Sequence, residues 1–99
     1  MREEEWGKAR KIAELAESLA AKYSDKIPET SVRGLASAAE SRNKKQFMEY
    51  LHRVLKAIDE SDLYDEPETD EMLALVYELL TVLALELATQ GDPDDYSLL

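Results

Sequence analysis

Residues 72–88 read MLALVYELLTVLALELA, seventeen residues of which only Glu78, Thr81 and Glu86 are polar. A helix on the surface of a globular domain needs one apolar stripe and is polar over the rest of its circumference. This segment is apolar on nearly every side, so it belongs at the centre of a helix bundle or partly in a contact between subunits. In a chain of 99 residues the other helices can cover only part of it. The sequence therefore predicts a division, with core on one side and partner contact on another. Leu75, Leu79, Val82 and Leu83 are the expected interface positions.

Thr69 is placed to cap this helix, and Asp70 and Glu71 fall in the first turn, where the helix dipole favours acids. Gly91 suits the position after the last turn and Pro93 follows it, so the predicted helix spans 70–90. Before it, residues 61–69 form a loop, with Leu63 and Tyr64 expected to anchor on the core. Residues 44–60 form a third helix whose apolar face is Phe47, Met48, Leu51, Val54, Leu55 and Ile58. Ser41-Arg42-Asn43 is a break in which Ser41 or Asn43 caps the next helix. A short helix over 31–41 carries Val32, Leu35, Ala38 and Ala39 on one face, with Thr30 or Ser31 as its cap. Gly34 and the alanines around it keep that helix slim enough for another backbone to approach. Pro28 separates it from a first helix over 3–23, whose apolar positions are Trp6, Ala9, Ile12, Ala13, Ala16, Leu19, Ala20 and Tyr23. No stretch alternates with the period of a strand. The expected fold is all-α, a compact bundle of four main helices with short loops over residues 1–91, followed by a mobile acidic tail at 92–99.

Charge is distributed unevenly. All twelve Lys and Arg lie between Arg2 and Lys56, alongside nine acids, whereas residues 57–99 hold thirteen acids and no Lys or Arg. The net charge of −10 argues against an autonomous nucleic-acid binder but leaves room for a local basic strip. With no cysteine and a single histidine, disulfides, thiolate metal sites and His-pair zinc sites are excluded. No nucleophile, base and orienting group occur together, so the chain reads as a non-enzyme without cofactor or metal. The acidic start lacks the apolar region of a signal peptide, and a cytoplasmic protein with no membrane association is expected. His52 lies in a stretch similar to the phosphotransfer helix of histidine phosphotransfer bundles. The following Leu-Lys is one residue too far away and Ala57 stands where those proteins have glycine, so a solvated histidine is the favoured reading. The acids between Asp59 and Glu71 lack the central glycine and alternating spacing of a calcium loop.

The third helix carries the most suggestive pattern. At about 100° per residue, Arg42, Lys45, Glu49, His52, Arg53 and Lys56 share an arc opposite Phe47, Leu51 and Ile58. Such a strip can follow phosphates without reading bases. It can equally be a solubilising face, because Glu49 stands four residues from both Lys45 and Arg53.

The stretch Thr30-Ser31-Val32-Arg33-Gly34-Leu35 follows the amphipathic segment Ile12–Lys22. It is followed in turn by the basic run Arg42-Asn43-Lys44-Lys45-Gln46-Phe47. In this order of elements residues 12–56 resemble the small all-helical subunit of CRISPR interference complexes, in its archaeal type I-A and type III-A forms. The resemblance implies a non-catalytic subunit whose copies stack along a nucleoprotein complex and steady DNA or RNA by phosphate contacts. Arg33, Lys44, Lys45, Arg53 and Lys56 are then the contact residues, joined by Arg42 from the basic strip. The competing expectation is an acidic helical adaptor or inhibitor that binds a basic protein through residues 59–71 and touches no nucleic acid.

Overall fold

A computed structural model describes residues 1–90 of the chain. Gly91, Pro93 and the expected 92–99 tail lie outside the described residues. The described chain is all-α: α1 (Glu3–Lys22), α2 (Glu29–Ser41), α3 (Lys44–Glu60) and α4 (Pro67–Gln90). α4 and α2 both pack on α1, and α3 packs on α2. The molecule measures 47 × 26 × 19 Å. Its long axis follows from α4, whose 24 residues span about 36 Å.

α1 and α4 run antiparallel, and a series of ion pairs fixes their register. Lys22 reaches Glu66 at 3.2 Å and Glu68 at 2.5 Å, Lys8 reaches Glu78 at 3.5 Å, and the amino terminus lies 3.8 Å from Glu86. Between them runs the core stripe of α1, Trp6, Ala9, Ile12, Ala13, Ala16 and Leu19, all buried, against Met72, Val76 and Leu79 of α4 and the inward faces of α2 and α3. Phe47 of α3 is fully buried and meets Trp6 edge-to-face at 6.1 Å, which ties the α2–α3 hairpin to the start of α1.

The α2–α3 turn is only Arg42-Asn43. Arg42 takes a left-handed conformation (φ 55°) and its N–H closes on Ala38 and Ala39 carbonyls. Asn43 caps α3, its side chain accepting from the Gln46 N–H at 3.1 Å. Gly34 is needed at the α2–α3 contact, because a Cβ there would stand 2.4 Å from the Tyr50 ring. The slimness expected of α2 is thus used by an aromatic side chain.

Three local expectations are corrected. α2 starts at Glu29 rather than 31, and neither Thr30 nor Ser31 caps it; Pro28 is the residue before it. The fixed φ of Pro28 presets the turn into the helix. Buried Ile27 and Val32 occupy the positions of a hydrophobic staple around it. α4 starts at Pro67, a residue suited to the first helical position because its missing N–H is not needed there. Thr69 is therefore inside the helix, fully buried, and its hydroxyl donates to the Leu63 carbonyl at 2.7 Å. Leu63 anchors the preceding loop as expected, but Tyr64 stays exposed and its hydroxyl donates to Asp59 at 2.6 Å.

Candidate nucleic-acid interface

The residues expected to contact phosphate divide into two groups. Lys45, His52, Arg53 and Lys56 are exposed on α3, on the side away from buried Phe47, Leu51, Val54 and Ile58. Lys44, the first residue of α3, is also exposed but falls about 80° outside that arc. Among the described residues, no acid lies within ion-pair distance of Lys44, Lys45 or Arg53. Lys56 stands 3.9 Å from Glu60, a loose pair one turn away. Arg53 lies over the Tyr50 ring, 5.2 Å from its centre. The ring itself rests on α2 at Gly34, so a glycine on one helix positions an arginine on the next.

Arg42 and Arg33 leave the strip. Arg42 turns back to α1, where its Nε donates to Glu3 at 2.9 Å and a second guanidinium nitrogen pairs with the same carboxylate. Arg10 adds a contact to Glu3 at 3.6 Å. The Arg42 guanidinium holds Glu3 below its ordinary 4.5, and the carboxylate in turn raises Arg42. Arg33 pairs with Glu29 one turn earlier on α2 at 2.7 Å.

The acidic segment is also partly consumed within the fold. Tyr23 donates to Glu66, and Lys22 bridges Glu66 and Glu68. The hydroxyl of Tyr23, then the Lys22 ammonium, draw Glu66 below 4.5, and Lys22 does the same to Glu68. Lys22 is raised by Glu68 and Glu66, and Tyr23 by Glu66. The sign of the resulting pH dependence is fixed. The lowered acids stabilise the fold fully above about pH 4.5 and lose that contribution as pH falls through their folded values. The raised Lys22 and Tyr23 contribute fully below about pH 10 and lose it as pH rises. Urea unfolding from pH 7 to pH 3 should show wild type losing more stability than Lys22→Met. Parallel pH profiles for the two would show that the cluster contributes nothing.

Comparison with known families, characterised proteins and solved structures finds no match.

The expected interface positions on α4 are not its outer face. Leu79 and Leu83 are buried, and Leu75 and Val82 half-buried. Most of the exposed apolar surface lies instead on Leu73, Tyr77, Leu80, Ala84 and Leu87, Tyr77 at 74% and Leu87 at 73%; Leu85, at 61%, is exposed to one side of them. The 4-3-4-3 spacing of those five was present in the sequence. It was masked by a second stripe, Thr69, Met72, Val76, Leu79 and Leu83, with the complementary spacing. Among the described residues no helix is long and apolar enough to cross a membrane, and no cluster of three His, Asp or Glu could hold a metal ion.

Proposed function

We propose that the chain is a non-catalytic subunit of a nucleoprotein assembly, steadying a nucleic-acid backbone along the outer face of α3. The observation that carries this reading is the exposed pair Lys45 and Arg53, on one helix face with no acid to satisfy them among the described residues. A polyanion supplies what the fold leaves out. The Tyr50 ring beneath Arg53 restrains the guanidinium, and so lowers the entropy lost on docking. The resemblance of residues 12–56 to CRISPR small subunits points to the same role and gives its most specific form, a copy within a stack along the complex. The adaptor reading is weakened by the acids themselves. Glu66 and Glu68 are engaged by Lys22, Glu60 lies beside Lys56 and Asp59 accepts from Tyr64, which leaves less of that segment for a basic partner.

The test is a filter-binding titration with single- and double-stranded oligonucleotides over a range of salt concentrations. Binding by the chain alone should be weak, insensitive to sequence and steeply salt dependent, because each contact releases condensed counterions. The double reversal Lys45→Glu/Arg53→Glu should weaken it several-fold and reduce the log–log salt slope by about two. Equal affinity and slope for the variant would overturn the proposal in favour of the adaptor.

A further inference from the structure

The outer stripe of α4 calls for a partner of particular shape. Leu73, Tyr77, Leu80, Ala84 and Leu87 repeat at the spacing of a coiled-coil seam and share an arc about 80° wide. No charged residue falls on that arc between Leu73 and Leu87. Glu78 and Glu86 lie off it, the first paired with Lys8 and the second near the amino terminus. Taking roughly 200 Å² for each fully exposed large side chain, Leu73, Tyr77, Leu80 and Leu87 leave roughly 450 Å² of apolar surface open to solvent. That lies within the range that marks a contact site on a monomer. It is about half of what each partner buries in a standard interface before flanking residues are added.

We propose that this stripe binds the same stripe of a second copy, with the two α4 helices antiparallel about an axis at Leu80. The side-chain volumes select this arrangement. Antiparallel pairing about Leu80 sets each Tyr77 ring against Ala84 of the partner copy and each Leu73 against Leu87, so large faces small and medium faces medium. Parallel pairing stacks Tyr77 on Tyr77 and opens a void between two alanines, an overpacked layer beside an empty one. Charge selects the same arrangement. Asp70, the acid at the start of the arc, would face its own copy in a parallel pair, whereas the antiparallel pair sets it across from position 90. The absence of Lys and Arg from residues 57–99 makes like-charge repulsion the chief obstacle to self-association, and the antiparallel register lessens it by keeping each acid from facing its own copy. The inference is independent of any nucleic-acid role.

The chain has no cysteine, so single introduced thiols report the geometry directly. Leu80→Cys should cross-link to itself with a short bismaleimide. Leu73→Cys and Leu87→Cys should cross-link to each other when mixed, and little when each is alone. Sedimentation of the wild-type full chain at micromolar concentrations should show a dimer. Leu80→Glu, which places two carboxylates on the axis, should weaken it at least about tenfold. Because Leu80 is half exposed, that variant should keep its helical circular dichroism. Self-linking of Leu73→Cys and of Leu87→Cys would overturn the antiparallel register. A monomeric wild type together with cysteine variants that form no cross-links would overturn the dimer, and would leave residues 91–99 or a different protein as the cover of the stripe.

Discussion

Phe47→Ala is expected to lower the free energy of unfolding by about 3–5 kcal/mol, among the largest effects of any single truncation in the chain. Phe47 is completely buried, and its ring meets that of Trp6 in a T-shaped contact at an interplanar angle of 77°. Truncation removes the transfer free energy of a full aromatic side chain. It also removes the ring–ring contribution, about 0.5–1.5 kcal/mol for such a pair. The surroundings cannot collapse into the gap easily, because α2 and α3 are joined by two residues and locked by the Asn43 cap. Domains of this size have about 5–15 kcal/mol to lose, so the variant should be marginal. Trp6 is the chain's single tryptophan, which makes its fluorescence in a urea titration both the probe and a witness of the lost contact. Lys45→Ala, on the opposite face of the same helix, should stay within about 0.5 kcal/mol of wild type. A loss below about 2 kcal/mol for Phe47→Ala would mean that α3 is not held to α1 through this pair.

The elements were legible where local chemistry and tertiary packing agree. α3 is bounded by Asn43, whose cap is an intrinsic property of asparagine, and its apolar face repeats cleanly, so both of its ends match the reading from sequence. α2 and α4 start earlier than their polar residues suggest, because Pro28 and Pro67 set the chain direction before any hydroxyl could cap. Thr69 looked like a cap because its hydroxyl suits one; in the fold that hydroxyl secures the loop at Leu63 instead. The candidate strip was half legible. Periodicity places Lys45, His52, Arg53 and Lys56 together, but it cannot show that Arg42 is taken by Glu3, thirty-nine residues away. Glu5 was hidden for a similar reason. It reads as one of three acids at the start of α1, yet it shares a face with Ala9, Ile12, Ala16 and Leu19. It is buried there, with one carboxylate oxygen unpartnered among the described residues. Pattern shows which face a residue occupies, and only packing shows which face meets which neighbour.

The neighbours Leu79 and Leu80 put that distinction to the test. In sequence they are indistinguishable, two leucines in the middle of an apolar helix. In the fold Leu79 is 2% exposed and Leu80 48% exposed, so they belong to the inner and outer stripes of α4 respectively. Both Leu→Ala substitutions leave the same side chain in the same helix, and alanine is at least as good a helix former, so intrinsic propensity cancels in the comparison. What remains is packing. Leu79→Ala should cost about 2–5 kcal/mol, since it opens a cavity where α4 meets α1. Leu80→Ala should change the stability of the monomer by no more than about 0.5 kcal/mol. The measurement is urea unfolding of both variants at a protein concentration low enough to keep wild type monomeric. Repeating it at higher concentration separates the roles further. Mass action stabilises a dimerising wild type as concentration rises, and Leu80→Ala should lose that gain while Leu79→Ala keeps part of it. A larger loss for Leu80→Ala than for Leu79→Ala at low concentration would mean that α4 is turned relative to α1 from the arrangement described. The inner and outer stripes would then exchange roles, and Leu75, Leu79, Val82 and Leu83 would regain their standing as the surface that faces a partner.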